Sequence, residues 1–341
     1  MGQTQSVTSS DGKGAIAMTA DPFDALRGNG DLKKFLKNEI DLGTLAHAYI
    51  IEGAEGTGKH TAALCAACYM ARGLPGGEKI ARGLSPDVMV FAPPSDRKTF
   101  PVDTVREMRA RAFILPNDLP FRIFIVEKTE RMTAQAQNAA LKILEEPPKN
   151  TYFFLLCENA SALLPTVRSR APVLRMQRFS PEETEAYLRA DADLAEKCAS
   201  ARLALAVKNS GGSYGKAKAM LLSGEDGEER DLVTAILGKA DAPVELLLQL
   251  QKLPKDREDF IAELNLMQRA VRDLLMLRSG GKEDLLFFFD RTEADGYGKT
   301  MARDELFVLS DRLAELTFAA ARNANLRNLQ YGLYGAFKCA Q

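Results

Sequence analysis

Short apolar runs alternate with amphipathic stretches between residues 46 and 176 of the chain. Each run has the length of a strand and is almost wholly apolar, which is typical of strands buried on both faces of a sheet. Because helical stretches separate the runs, the pattern predicts a parallel α/β sheet flanked by helices. The predicted strands are Ala48–Ile51, Val88–Phe91, Phe121–Val126, Tyr152–Cys157 and Val173–Met176. The predicted helices are Lys59–Arg72, Val102–Phe113 and Thr133–Glu145, and the glycine-rich stretch Gly73–Gly83 is predicted to be a loop.

A helical period replaces this alternation in the rest of the chain. Ser180–Leu222 is predicted to form a small helical region, and the charged stretch Gly224–Glu229 is predicted to be an exposed linker. From Asp231 to Gln341, apolar residues recur every three or four positions, which is typical of a packed helical bundle. The first twenty residues are small and polar and are predicted to be disordered. We therefore divide the chain into residues 1–20, 21–178, 179–225 and 226–341.

The loop between the first strand and its helix matches a phosphate-binding P-loop, G-x-x-x-x-G-K-[ST], except at its last position. Gly53, Gly56 and Gly58 leave room for backbone N–H groups to converge on phosphate oxygens. Lys59 would reach the outer phosphates of a bound nucleotide. The alternative is a chance glycine-rich turn, which the flanking strand and helix patterns disfavour.

Two positions of this predicted site depart from what ATP hydrolysis requires. His60 stands where a Ser or Thr hydroxyl should bind Mg²⁺, and imidazole is a poor ligand for this ion; Thr61 comes one position late. Glu127 ends the third strand and can still reach a metal. The next residue, Lys128, lies where a water-activating carboxylate is expected, and an ammonium group cannot accept a proton. We expect ATP hydrolysis here to be very slow or absent, and the sequence leaves open whether ATP or ADP binds.

Composition narrows the functional classes. The chain has 45 Lys and Arg against 46 Asp and Glu, so its net charge of -1 does not favour nucleic-acid binding through bulk charge. No apolar run approaches the ~20 residues of a transmembrane helix. Five scattered cysteines favour the reducing cytoplasm. Cys65 and Cys68 share a helix face without a second pair of ligands nearby, so we expect no zinc and no other bound metal.

Four segments together resemble the bacterial clamp-loader AAA+ subunits, and most closely the delta-prime group of DNA polymerase III. They are LAHAYIIEGAEGTGKHTAA from residue 45, SPDV from residue 85, RIFIVEKTERMTAQAQNAALKILEEPP from residue 122 and PTVRSRA from residue 165. The resemblance is strong over residues 45–178 and weak elsewhere. It implies an AAA+ P-loop domain over residues 21–178, a helical lid over 179–225 and an all-α collar over 226–341.

The resemblance also implies a function. Arg170 would be an arginine finger that acts in trans on a neighbour's ATP, and Ser169 would position it. A hetero-pentameric ring with tau/gamma motor subunits and a delta subunit would load a sliding clamp onto primed DNA. This chain would be a largely ATPase-inactive subunit of the polymerase holoenzyme. Glu158 replaces the polar residue that usually senses the terminal phosphate, and it would repel phosphate.

Three other readings are open at this point. Arg170 could be an ordinary structural arginine. An active motor subunit of the tau/gamma type would share the helix and arginine motifs, but it should carry Ser or Thr at position 60 and Asp-Glu at positions 127 and 128. A metabolic P-loop kinase is disfavoured by the helical C-terminal part and by the lack of a recognisable acceptor site.

Overall fold

The computed structural model describes residues 21–93, 99–194, 202–222, 226–280, 285–298 and 301–339. The segment 1–20, predicted to be disordered, lies outside these ranges. The chain forms two compact units. The first runs to Ser180 and also contains Ser213–Gly215, whereas the second contains Pro181–Gly212 and the chain from Lys216 onward. The boundaries proposed for a separate lid and collar stay predictions.

A five-stranded parallel sheet forms the centre of the first unit, as the apolar runs predicted. The strands are β1 (Ala48–Glu52), β2 (Val88–Phe91), β3 (Arg122–Val126), β4 (Thr151–Cys157) and β5 (Val173–Arg175). Their order is β2-β3-β4-β1-β5, and every neighbouring pair is parallel. The predicted strands differ from these bounds by one residue at most.

Both faces of the sheet are buried, which explains why the strands read as continuous apolar runs. Successive residues of β1 alternate between the two cores: Tyr49 and Ile51 pack on one side, and Ala48 and Ile50 on the other. The sheet therefore has no polar face, and its chemistry is confined to the ends of the strands.

Six helices cover the sheet in the first unit. They are α1 (Gly30–Leu42), α2 (Lys59–Met70), α3 (Gly77–Ala81), α4 (Val102–Ala112), α5 (Ala134–Glu145) and α6 (Pro165–Arg168). The prediction that Gly73–Gly83 is a loop was wrong, because α3 lies within it. Gly76 enters that helix with a left-handed backbone, φ +84°, and Ile80 is buried in the core. Helix α3 has five residues, which are too few for apolar positions to recur with a helical period, so the sequence pattern did not indicate it.

Helix α5 begins and ends as its sequence predicts. Thr133 is its N-cap, and the Thr133 side chain accepts a hydrogen bond of 3.1 Å from the backbone N–H of Ala136. Glu146 follows the last turn, and the chain then enters Pro147, which cannot continue a helix. The end of α5 is therefore sharply defined, and this matters below because Glu145 is its last residue.

After Ser180, every regular element among the described residues is a helix. These helices are α7 (Pro181–Arg189), α8 (Arg202–Asn209), α9 (Tyr214–Leu222), α10 (Asp226–Leu237), α11 (Pro243–Leu250), α12 (Arg257–Arg278), α13 (Arg291–Gly298), α14 (Arg303–Ala321) and α15 (Leu326–Cys339). The apolar positions of α12, α14 and α15 pack into one core. The linker predicted at Gly224–Glu229 was wrong for its last four residues, because α10 begins at Asp226. Acidic residues are favourable in the first turn of a helix, but the sequence analysis took the charged stretch only as a sign of an exposed linker.

A buried ion pair holds the loop that leads into β3. The Asp87 carboxylate accepts hydrogen bonds of 2.7, 2.7 and 2.9 Å from three consecutive backbone N–H groups, at residues 117–119. Arg122 Nη2 lies 3.4 Å from the same carboxylate, and its guanidinium donates to the backbone carbonyls of Arg111 and Leu115. Both side chains are almost fully buried. This network fixes the start of β3, the strand that ends at the candidate site.

We predict that Asp87→Asn lowers the free energy of unfolding by about 3 kcal/mol at neutral pH, since it leaves Arg122 buried without its charge partner. Burial raises the pKa of Asp87, but the backbone N–H groups and Arg122 outweigh it, so the pKa is lowered overall. The contribution of this carboxylate is therefore complete above the unfolded pKa of about 4 and is lost as the pH falls through the folded value. Urea unfolding should show the deficit shrinking in acid.

The matched control is Asp103→Asn, because Asp103 is exposed and its ion pair among the described residues is with Arg106, one turn away. This change should leave the unfolding curve nearly unchanged. An Asp87→Asn curve that overlays the wild type at neutral pH would contradict the role assigned to the buried pair.

Candidate functional site

The strand order brings the predicted site residues to one edge of the sheet. Strand β4 lies between β1 and β3, and all three run in the same direction. Gly53 follows β1, Glu127 follows β3 and Glu158 follows β4. The carboxyl ends of adjacent parallel strands are where ligands bind in sheets of this type.

The loop between β1 and α2 has P-loop geometry. Gly56 and Gly58 have left-handed backbone angles, φ +74° and +92°, which disfavour other residues. Gly53 donates its N–H to the carbonyl of Cys157, at 3.1 Å. A Cβ at Gly53 would lie 2.7 Å from Met176 Cβ, so a side chain cannot fit there. The predicted glycine positions therefore fall where the backbone requires them.

The side chain of Lys59 is turned onto the loop itself. Its Nζ donates to the carbonyl oxygens of Gly53, at 2.6 Å, and Ala54, at 2.9 Å. Burial lowers the pKa of Lys59, and the negative charges of Glu158 and Glu130 act against that shift. The lysine that would reach a phosphate is thus held by carbonyls and lies among carboxylates.

His60 and Glu127, the two unusual residues at the expected Mg²⁺ position, face each other. His60 Nδ1 lies 2.8 Å from Glu127 Oε1, a close electrostatic contact without the alignment of a good hydrogen bond. Thr61 is half-buried one position further along α2, and Lys128 is exposed with a left-handed backbone, φ +50°. His60 supplies no hydroxyl ligand for Mg²⁺ and Lys128 supplies no base for water, so these two residues do not fit the positions they would hold in a magnesium–nucleotide complex.

Sequence reasoning missed the residues that cover the outer side of the P-loop. Ser213 Oγ donates to the carbonyl of Glu55, at 2.7 Å, and the backbone N–H of Gly215 donates to the carbonyl of Gly56, at 2.9 Å. A Cβ at Gly215 would lie 2.7 Å from that carbonyl oxygen. No local pattern of the sequence shows that residues 213–215 contact residues 55–56.

Arg170 lies at the end of α6 and is one-third exposed. Its Nη1 donates to the carbonyl of Thr166, at 2.7 Å, and lies 3.3 Å from Ser169 Oγ. Its Nη2 is paired with the carboxylate of Glu145. The predicted neighbours Ser169 and Arg170 thus do contact each other, and Glu145 is a partner that the sequence analysis did not assign.

Among the described residues, no cluster of three or more His, Cys, Asp or Glu side chains could hold a metal ion. Burial raises the pKa of the Cys65 thiol to about 12 and that of Cys68 to about 11, as expected for cysteines that pack rather than bind. Within the same ranges, no helix is both long and apolar enough to cross a membrane.

Comparison with known proteins shows what the chain is similar to. A family model described as DNA polymerase III, delta subunit, matches residues 28–180. The DNA polymerase III subunit delta' of Bacillus subtilis is 28% identical over 272 residues, which cover 74% of this chain and 79% of the relative. The subunit delta' of Pseudomonas aeruginosa is 35% identical over 135 residues, or 37% of this chain and 41% of the relative. These matches support a delta-prime-type clamp-loader subunit.

The motor-type relatives match less of their length. The gamma/tau subunit of Mycobacterium tuberculosis strain H37Rv is 31% identical over 169 residues. These residues cover 44% of this chain but only 27% of the relative. The tau/gamma alternative is therefore not favoured. Among solved structures, a gamma subunit-related protein of Thermotoga maritima aligns over 90% of this chain and 97% of its own, at 17% identity and a TM-score of 0.47.

We predict that Gly215→Ala destabilises the first unit by about 1–3 kcal/mol, because the added methyl group would overlap the Gly56 carbonyl and break the hydrogen bond to it. Urea unfolding measures the loss. Gly30→Ala is the matched control, since a Cβ there meets nothing within 4 Å. That change lies in α1 and should be neutral or stabilising. Equal stability of the two variants would show that the contact with the P-loop does not matter.

Proposed function

We propose that this delta-prime-type subunit completes a clamp-loader ring without hydrolysing ATP itself. In this proposal, Arg170 reaches into the ATP site of a neighbouring tau/gamma motor subunit. The ring also contains a delta subunit, and the complex opens a sliding clamp and places it on primed DNA in the cytoplasm. The chain contributes to the DNA polymerase III holoenzyme as a binding and regulatory subunit.

The observation that carries the proposal is the position of Lys59. A P-loop lysine stabilises the negative charge of the outer phosphates, and it must be free to reach them. Here two carbonyl oxygens of the loop already accept its hydrogen bonds. A nucleotide would have to break both contacts before it gained the lysine.

The charges around the lysine support the same conclusion. Glu158, Glu130 and Glu55 all act on Lys59 electrostatically, and each would repel the phosphates of a nucleotide. The contact between His60 and Glu127 occupies the place where a hydroxyl and a carboxylate would otherwise hold Mg²⁺. Phosphoryl transfer depends on this metal for charge neutralisation, so its loss removes most of the catalytic effect.

The assignment of Arg170 rests on its chemistry and exposure. Its side chain is about one-third exposed just after a short helix and is held in place at several points. A fixed guanidinium delivered to another subunit's ATP would stabilise the charge on the transferring phosphoryl group. Ser169 would position it through its hydroxyl.

We predict that the isolated chain is less than half saturated at about 1 mM ATP. A site with a dissociation constant of about 1 mM has a binding free energy of about -4 kcal/mol, and we expect weaker binding than this. Equilibrium dialysis with Mg²⁺-ATP measures this directly. In the assembled complex, Lys59→Ala should leave DNA-stimulated ATP hydrolysis unchanged. A magnesium-dependent turnover of the isolated chain that Lys59→Ala abolishes would overturn the claim of an inactive site.

We predict that Arg170→Ala in the assembled complex lowers the DNA-stimulated ATPase rate of the neighbouring motor site by about 10³-fold or more. Arg168→Ala is the matched control, because Arg168 is an exposed arginine on the same short helix. It should keep the wild-type rate. Size-exclusion chromatography must show intact rings for both variants. An unchanged rate for Arg170→Ala in an intact ring would mean that Arg170 is structural.

A further inference from the structure

We infer that Glu145 is a positioning residue for Arg170, an inference that rests on the proposed finger role. Glu145 is the last residue of α5, and Arg170 follows the end of α6. The carboxylate of Glu145 pairs with Nη2 of Arg170 across 25 residues of chain. The pair joins the LEEPP and SRA segments, which the sequence shows only as separate motifs.

The location of Glu145 on its helix argues that this contact is needed. The carboxyl end of a helix carries a partial negative charge, so an acidic side chain there is unfavourable unless a cation compensates for it. Two glutamates, Glu145 and Glu146, stand at this end of α5. Arg170 supplies the compensating charge for Glu145, and no contact between Arg170 and Glu146 is found among the described residues.

Packing beneath the surface sets the distance between the two side chains. Leu144, next to Glu145, and Val167, in α6, are buried in the same core. The Oε1 atom of Gln137 in α5 accepts a hydrogen bond of 2.7 Å from the backbone N–H of Leu164, just before α6. Because these buried contacts hold α5 and α6 together, the Glu145–Arg170 pair depends on the core rather than on a mobile surface loop.

The pair restricts a side chain that would otherwise sample many rotamers. Arg170 is held at Nη1 by its own short helix and at Nη2 by Glu145, while about a third of it stays exposed. A guanidinium carries five N–H donors, so Arg170 can keep these contacts and still donate to a phosphate, and an arginine fixed beforehand loses less conformational entropy when it binds. Glu145 therefore acts through Arg170, and it does not itself approach the neighbour's nucleotide.

The test uses the complete clamp-loader complex with Glu145→Ala, Glu145→Gln and the control Glu146→Gln. Glu145→Ala should lower the kcat of the DNA-stimulated ATPase about 3- to 10-fold, with little change in KM and with the ring intact. Glu145→Gln should recover part of the rate, because its amide oxygen still accepts a hydrogen bond from the guanidinium. Glu146→Gln should match the wild type.

A double-mutant comparison separates the two proposals. If Glu145 acts through Arg170, Glu145→Ala should have no further effect in an Arg170→Ala background. The same fall in that background, or a wild-type or faster rate for Glu145→Ala alone, would refute the positioning role. An Arg170→Ala ring that keeps the wild-type rate would refute the finger proposal itself, and the positioning role with it.

Discussion

Burial of both faces of a parallel sheet is the constraint on which the site depends. With apolar side chains packed on each side, the sheet can present polar groups only at the ends of its strands. The order of β1, β3 and β4 then brings Gly53, Glu127 and Glu158 to one edge. The buried Asp87–Arg122 network serves this arrangement, because it fixes the loop from which β3 starts.

Polar and charged groups of the P-loop are held by contacts with other groups of the same protein. In a working nucleotide site, phosphates provide the negative charge that faces the lysine, and the metal is held by oxygen ligands. Here the loop carbonyls accept from Lys59, and His60 lies against Glu127. On the outer side, the carbonyls of Glu55 and Gly56 accept from Ser213 and Gly215. These contacts hold the loop in shape through the protein's own groups.

The other half of the first unit is built around the junction of α5 and α6. A buried glutamine joins the two helices, apolar residues from both share one core, and the Glu145–Arg170 pair lies at the surface of that junction. The proposed action of Arg170 on a different subunit requires a rigid base. The sharp end of α5, defined by Glu146 and Pro147, keeps Glu145 at a fixed point opposite Arg170.

The sequence by itself determined the fold class, the strands and the P-loop glycines, and it indicated the delta-prime resemblance, because each has a local signal: apolar runs, fixed glycine spacing and contiguous motifs. It also identified His60 and Lys128 as departures, since these positions are counted from the P-loop and from the end of β3. Only the tertiary structure decided that His60 meets Glu127, that Gly215 contacts Gly56 and that Glu145 pairs with Arg170. Those contacts join residues 25 to 159 positions apart, and they arise from strand order and helix packing, which no local pattern of side chains encodes.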